Sequence, residues 1–229
     1  MALTEEARAR LAPQAAEIIG RYPRARSALL PLLHLVQSEE GYVSQDGIAF
    51  CADRLGLTEA DVTGVVSFYT MYKRKPVGEY HVGVCTNSLC AVMGGDAILA
   101  DLGGHLGVGI DEVTPDGKVS YEHVECNAAC DYAPVVMVNW EFFDNMTPSK
   151  ARNLVDGLRF GADVVPTRGA PTLCTWKQAS HILAGFPDGQ ATEGHTAGAA
   201  TLAGLRIAKE QGWRPDIDDT SGDAAGGQR

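Results

Sequence analysis

The 229-residue chain has no long hydrophobic run and no excess of basic residues. A helix that crosses a bilayer needs about 20 apolar residues. The most apolar run here, residues 29–36, is short and is interrupted by Pro31 and His34. Asp and Glu number 29 against 19 Lys and Arg, which makes the net charge −10. Because such a chain attracts neither nucleic acid nor an anionic membrane surface, we expect its partners to be other proteins.

The N-terminus also lacks the pattern of a secretory signal. Glu5 and Glu6 stand close to the start, and no apolar core follows them. We therefore expect a protein that is made and kept in the cytosol. In that reducing compartment, cysteines that occur in spaced pairs indicate metal binding or catalysis rather than disulfides.

Hydrophobic periodicity divides the chain into three predicted regions, residues 1–75, 76–163 and 164–229. The first region has helical periodicity throughout. Thr4 and Ser27 are the predicted N-caps of its first and second helices, and Thr58 with Asp61 has the pattern of a capping box for its fourth. The joints between its four predicted helices are short, which favours a small antiparallel bundle.

The middle region, residues 76–163, adopts the alternating pattern that is typical of strands, interrupted by helical stretches. This order of elements predicts a small α/β domain. The predicted elements are a strand at 80–85, a helix at 96–102 closed by Gly103 and Gly104, strands at 119–124 and 134–139, and a helix at 148–159 that is capped by Thr147.

The last region, residues 164–229, is rich in Gly, Ala, Thr and Pro. Its composition predicts one helix at about 199–210 and disorder over residues 218–229. We expect this partly irregular extension to lie on a partner or to be mobile, and it shows no pattern that indicates chemistry.

Four of the six cysteines form two tight pairs, CTNSLC with Cys85 and Cys90, and CNAAC with Cys126 and Cys130. Each pair stands where a predicted strand ends in a loop. A 2Fe–2S cluster needs four thiolates, two at each iron, and two pairs on adjacent strand ends can supply them. The intervening loop residues are small or turn-forming, so their N–H groups can point toward sulfur.

Other interpretations of the cysteines stay open at this point. A tetrahedral zinc site also uses four thiolates, although its pairs are separated by about two to four residues and the first pair is at the edge of that range. His123 precedes Cys126 by three residues and could replace a thiolate, as histidine does in Rieske centres. We expect Cys51 to be a core residue and Cys174 to serve packing only.

The chain resembles a known family in three stretches. These are LLPLLHLVQSEEGYVSQDGIAFCADRLGLTEADVTGVVSFYTMY, then HVGVCTNSLC, then VECNAACDYAPVVMVN. Together they are similar to the E subunit of NADH:quinone oxidoreductase, respiratory complex I, over residues 15–160. The resemblance implies an α/β (α+β) fold, with an N-terminal helical bundle followed by a thioredoxin-like 2Fe–2S ferredoxin domain. One departure is Leu89, where many family members have proline.

The resemblance also implies a site and a partner. Cys85 and Cys90 would bind one iron of a 2Fe–2S cluster, and Cys126 and Cys130 would bind the other. FMN and NADH would be bound by an adjacent F subunit within the peripheral arm of the complex. We find no nucleotide-binding pattern in this chain. The expected location is the cytoplasmic side of the cell membrane, held there through partners and without membrane insertion.

Two other hosts for the same site remain open. One is the equivalent 2Fe–2S subunit of an NAD-dependent hydrogenase or formate dehydrogenase. The other is a free ferredoxin-like carrier, for which the helical N-terminal region would have no evident use.

Overall fold

The structure is a computed structural model that describes residues 3–190 and 194–213. The chain divides into two compact units between Gly194 and His195. Within the described ranges, no helix is both long enough and apolar enough to cross a lipid bilayer. The second unit contains one described helix, α9 (Ala203–Glu210), whose residues are all half-buried or exposed. It confirms the helix predicted at about 199–210, whereas residues 218–229, predicted to be disordered, lie outside the described residues.

The N-terminal part of the first unit is helical, as predicted. The cap predictions at its first and fourth helices are confirmed: the Thr4 side chain accepts the Ala7 N–H at 3.2 Å, and Thr58 and Asp61 form a capping box. The helices are α1 (Glu5–Gly20), α2 (Leu29–Glu40), α3 (Gln45–Leu55) and α4 (Glu59–Phe68).

The prediction that Ser27 caps the second helix is wrong. A 3-10 turn at Ala25–Ala28 leads directly into α2, and Ala28, which has no polar side chain, occupies the N-cap position. The turn aligns the backbone for the helix, so the cap residue is not needed. Gly41 ends α2 in the left-handed conformation, with φ of 85°.

A four-stranded sheet follows, in the order β2-β1-β3-β4. The strands β1 and β2 are parallel, while β3 is antiparallel to both β1 and β4. The predicted bounds of the first two strands are confirmed, the third strand is shorter than predicted, and the fourth was not predicted. The strands are β1 (Tyr80–Cys85), β2 (Val119–Val124), β3 (Val136–Val138) and β4 (Glu141–Phe143).

The helices of this part pack on the sheet. They are α5 (Ser88–Val92), α6 (Gly95–Leu106) and α7 (Pro148–Phe160), the last capped by Thr147 as predicted. The prediction that Gly103 and Gly104 close the middle helix is wrong, because α6 continues to Leu106. A Cβ atom at Gly103 would lie 2.7 Å from the Tyr121 hydroxyl oxygen. Gly103 therefore allows close packing of the helix on β2 rather than ending it.

Residues 164–190, the first part of the predicted extension, belong to the first unit. The helix α8 (Trp176–Leu183) packs against α2, and the Trp176 side chain is only 1% exposed. The Trp176 indole N–H donates to the Gly41 carbonyl oxygen at 2.7 Å, and its backbone N–H donates to the Glu79 carbonyl oxygen at 2.8 Å. The prediction of a draped or mobile segment is therefore wrong for α8, which ties the helical part to the start of β1. The three-region division of the chain stays a prediction.

A buried polar cluster also ties the helical part to the sheet. Lys73 Nζ donates to both carboxylate oxygens of Glu122 at 2.6 Å, and His81 Nε2 lies 3.0 Å from Glu122 Oε1. The other ring nitrogen, His81 Nδ1, lies 2.8 Å from the Ser120 hydroxyl oxygen. Burial alone would raise the pKa of Glu122, but His81 and Lys73 lower that pKa to about 2. Burial lowers the pKa of His81, so the imidazole beside the carboxylate is neutral.

Candidate functional site

The parallel pairing of β1 and β2 brings the two cysteine loops to the same end of the sheet. Cys85, the last residue of β1, lies opposite Val124, the last residue of β2. The Thr86 N–H donates to the Val124 carbonyl oxygen at 3.2 Å, so the pairing continues into the loops. Because parallel strands end at the same edge, Cys126 enters its loop beside the loop that follows Cys85.

The first pair is buried in regular structure. Cys85 is 2% exposed at the end of β1, and Cys90 is 3% exposed in α5. The Asn87 side chain accepts the Ser88 N–H at 2.7 Å at the start of α5. Leu89 is the second residue of this helix, a first-turn position where proline is tolerated. The departure from the family pattern at Leu89 is therefore compatible with the same loop.

Gly95 lies directly against the backbone of the first pair. A Cβ atom at this position would overlap the Cys85 carbonyl oxygen and would lie 2.9 Å from the Cys90 carbonyl oxygen. Real Cβ atoms do not approach backbone oxygens so closely, so only glycine fits at the start of α6. In the sequence, the pair Gly94 and Gly95 shortly after Cys90 could have indicated this close contact.

The thiols of the buried pair influence each other electrostatically. Burial raises the pKa of Cys90 to about 11, although the Val135 N–H that points at its sulfur acts in the opposite direction. A hydrogen bond to Cys85 and the nearby Cys130 thiol raise the Cys90 pKa further. The Cys90 thiol is therefore close enough to those of Cys85 and Cys130 to be influenced by both. A bound metal ion would favour the thiolate over the neutral thiol, because a thiol that coordinates a metal is deprotonated.

The second pair is exposed and lies in irregular backbone. Cys126 follows β2, and Cys130 begins the 3-10 turn Cys130–Tyr132. Between them, Ala128 has φ of 51°, in the left-handed region, and its N–H points at the Cys126 sulfur at 3.3 Å. The loop thus aims a backbone donor at a sulfur, as the small residues between the cysteines predicted.

The residues present fit a 2Fe–2S cluster. In addition to the thiols and the N–H groups of Ala128 and Val135, the Asn127 side chain contributes a buried Nδ2 atom that has no hydrogen-bond partner among the described residues. Donors near cysteine sulfur favour the more negative, reduced cluster. Sequence reasoning included Asn127 only for its backbone N–H. It missed the Asn127 side-chain amide and the Val135 N–H, because the burial of an amide and the approach of the segment before β3 depend on long-range contacts.

Among the residues that the structure describes, no three His, Cys, Asp or Glu side chains form a group that could hold a single metal ion. The choice between zinc and a 2Fe–2S cluster is made by the metal and sulfide assay described below. His123 is exposed on β2, opposite Val84.

The two remaining cysteines lie apart from the pairs. Cys51 is fully buried in the helical core, which confirms the sequence-based prediction. Cys174 is half-buried, and its carbonyl oxygen accepts the Asn139 Nδ2 donor at 2.8 Å. Burial raises the pKa of both thiols, to about 12 for Cys51 and about 11 for Cys174.

Two cysteine pairs at the ends of parallel strands, in a small sheet packed by helices, define the class of two-pair 2Fe–2S ferredoxins. Residues 15–159 match the family of thioredoxin-like [2Fe-2S] ferredoxins, and the chain belongs to this family. The cofactor of the family is a 2Fe–2S cluster, as the sequence predicted. The assignment of the four individual cysteines as its ligands stays a prediction.

Two relatives support membership of this family. The chain is 66% identical over 203 residues to the E subunit of NADH-quinone oxidoreductase from Mycobacterium tuberculosis (strain H37Rv), covering 88% of this chain and 80% of the relative. It is 40% identical over 148 residues to NADH-quinone oxidoreductase subunit 2 of Thermus thermophilus, covering 63% and 82%. A match of 203 residues extends beyond residue 164, so the mycobacterial relative shares part of the extension.

A solved structure confirms the fold. One chain of the air-oxidised NAD+-reducing [NiFe]-hydrogenase superposes with a TM-score of 0.52 at 17% identity. The likeness covers 58% of this chain but only 23% of the hydrogenase chain. At this identity it shows the fold alone.

Proposed function

We propose that this chain is the electron-carrying E subunit of an NADH:quinone oxidoreductase. Its 2Fe–2S cluster would be held by Cys85, Cys90, Cys126 and Cys130. The observation that carries the proposal is the parallel register of β1 and β2, which places Cys85 opposite Val124 and brings both pairs to one end of the sheet. The mycobacterial relative, with the name of that subunit and 66% identity, supports the choice of host complex.

Each pair binds one iron in this proposal. Cys85 and Cys90 would hold one iron, and the apolar side chains of Ala129, Ala133 and Val135 pack beside these cysteines and exclude water from that side. Cys126 and Cys130, which are exposed, would hold the other iron. When bound, the cluster accepts and releases one electron, and the protein contributes its orientation and electrostatic surroundings.

The partner follows from the same assignment. An F subunit would carry FMN and NADH, because this chain shows no nucleotide-binding pattern of its own. It would contact this chain beside Cys126 and Cys130, because these two cysteines are exposed. The complex would hold the chain peripherally at the cytoplasmic side of the membrane. The net charge of −10 supports a protein partner rather than a lipid surface.

The deciding experiment is anaerobic purification of the full chain, with visible and EPR spectra and assays of iron, sulfide and zinc on one sample. We expect about two iron atoms and two sulfide ions per chain, with an EPR signal that appears on reduction. Stoichiometric zinc without sulfide, persisting after anaerobic reconstitution with iron and sulfide, would overturn the electron-transfer proposal.

An NAD-dependent hydrogenase is the alternative host, and the fold that this chain shares with a chain of an NAD+-reducing hydrogenase is compatible with it. Purification of the tagged chain from its own cells distinguishes the hosts. Recovery of a flavoprotein with quinone reductase activity supports the first proposal, and recovery of hydrogenase activity supports the second. The 66% identity to the mycobacterial relative, against 17% to the hydrogenase chain, makes the first our proposal.

A further inference from the structure

Arg168 belongs to the extension, beyond the residues that match the ferredoxin family. Its side chain is only 14% exposed. The backbone at this point adds to the outer edge of β4, because Arg168 forms an antiparallel bridge with Phe142. The neighbouring Thr167 N–H donates to the Phe142 carbonyl oxygen at 2.9 Å. The start of the Arg168 side chain is therefore fixed by the sheet.

The guanidinium group lies between two carboxylates and two aromatic rings. Its Nη2 donates to Asp144 Oδ1 at 3.2 Å, and its Nε lies 3.0 Å from Asp144 Oδ2. Its Nη1 lies 4.0 Å from Asp131 Oδ2. Its central carbon lies 4.3 Å from the centre of the Phe142 ring and 5.4 Å from that of Tyr132. Asp144 is buried, so this pair is poorly screened by water.

These contacts reach both halves of the cysteine site. Asp131 and Tyr132 follow Cys130 directly in the 3-10 turn. The Phe142 ring packs against the small core that contains Cys85 and Cys90. A single guanidinium group thus contacts the turn that presents one predicted ligand and the ring that supports the two buried ones.

We propose that Arg168 is a positioning residue that holds the Cys130 turn and places a positive charge beside the cluster, which raises its reduction potential. The inference depends on the proposed ligation by the four cysteines. Reduction adds one negative charge to the cluster, so a nearby buried cation stabilises the reduced form. Without the guanidinium, the carboxylates of Asp131 and Asp144 would lose this cation and would oppose reduction.

The test compares three variants of the full chain after cluster reconstitution. Arg168→Gln removes the charge, and Arg168→Lys keeps it. Arg159→Gln is the matched control: Arg159 pairs with Asp116 at 2.7 Å, in the turn before β2 and so at the opposite end of that strand from Cys126. The measurements are the iron and sulfide content, the midpoint potential from EPR-monitored titration, and hydrogen exchange of residues 127–133 in the cluster-free chain.

We expect Arg168→Gln to lower the midpoint potential by at least the equivalent of a tenfold shift in the reduction equilibrium, about 59 mV for one electron. Exchange at residues 127–133 should be faster in this variant. Arg168→Lys should stay close to the wild-type potential, and Arg159→Gln should not differ from wild type. An unchanged potential in Arg168→Gln, or an equal fall in Arg159→Gln, would overturn the inference.

Arg168→Gln could also fail to take up a cluster. In that case the Arg168→Lys variant is the test: if it holds a cluster at the wild-type potential, the positive charge has the proposed role. Loss of loading in both variants would show that the residue serves the fold alone, and would overturn the inference. A wild-type chain that holds no 2Fe–2S cluster would instead contradict the proposed function, so the two failures are distinguishable.

Discussion

The two cysteine pairs are held in different ways. Cys85 and Cys90 are buried at the end of a strand and in a helix, with Gly95 against their backbone. Cys126 and Cys130 are exposed in a loop whose shape depends on left-handed backbone and on side chains such as Arg168. The fold itself therefore positions one half of the candidate site. The other half depends on local hydrogen bonds and, under the proposed ligation, on the cluster.

The largest expected effect is loss of the cluster, and it should be equal for both pairs. Cys90→Ser and Cys126→Ser each remove one thiolate from an iron, so iron and sulfide should fall far below wild type in both. The pairs should differ in the cluster-free chain. Cys90→Ser should lower the free energy of unfolding by about 1–3 kcal/mol because it buries a hydroxyl, whereas Cys126→Ser should change it by less than about 0.5 kcal/mol.

Iron and sulfide assays and denaturant unfolding measure these two effects. Cys51→Ala is the control variant, since it removes a cysteine of the helical core and should leave the visible spectrum intact. Unchanged iron and sulfide in both serine variants would show that the ligands were assigned wrongly.

Thiol reactivity should separate the pairs by about a hundredfold. In the folded, cluster-free chain, Cys126 should react first with iodoacetamide because it is exposed. Cys90 should react at least about a hundredfold more slowly at pH 8, because its pKa of about 11 leaves little thiolate. Its rate should rise about tenfold per pH unit up to that pKa. Mass spectrometry of quenched time points measures both rates, and equal rates would contradict the burial of Cys90.

The same pKa shift predicts how stability depends on pH. An unfolded cysteine ionises near pH 8.5, below the folded value for Cys90. The contribution of the neutral buried thiol to stability is therefore complete below about pH 8.5 and is lost as the pH rises toward 11.

Gly95→Ala should weaken the buried pair alone. The new methyl group would overlap the Cys85 carbonyl oxygen, so we expect a loss of about 1–3 kcal/mol in unfolding free energy and poorer cluster loading. Gly104→Ala, in the same helix with open space at its Cβ position, should instead stabilise the chain by about 0.4–1 kcal/mol. Thermal unfolding of both variants measures the difference, and similar effects would show that the packing at Gly95 is not decisive.

The smallest expected effect on stability concerns the exposed pair. Asn127→Ala removes a buried amide that has no partner among the described residues, so the unfolding free energy should change by less than about 0.5 kcal/mol. The midpoint potential of the loaded chain should nevertheless fall, because a donor near the sulfur atoms is lost. A potential equal to that of wild type would show that Asn127 does not face the cluster.

Much of the fold could be predicted because its signals are local. The first two strands alternate regularly, and their predicted bounds, residues 80–85 and 119–124, are those of β1 and β2. The cap residues Thr4 and Thr58 act within one turn of their helices. The two cysteine pairs were visible as motifs, and their positions at the ends of predicted strands led us to expect them on adjacent strand ends.

The parts that were missed depend on distant contacts or on short elements. The strand β4 has only three residues and follows a turn in which Asn139 and Trp140 both have positive φ, 49° and 77°. No glycine marks that turn. The role of Trp176 could not be predicted, because its side chain donates a hydrogen bond to Gly41, which is 135 positions away in the chain. The contacts that Arg168 makes near the site likewise could not be predicted, because they depend on its pairing with the edge of the sheet.

The bridge between Arg168 and Phe142 has a consequence for the chain before it joins a complex. A four-stranded sheet has two outer strands, and unpaired edges invite association between copies. On the far side, Val113 forms a similar bridge to Ser120 of β2. Both outer strands are thus partly covered by segments of their own chain. A newly made copy is thereby protected from strand-to-strand aggregation while it waits for its cluster and its partners.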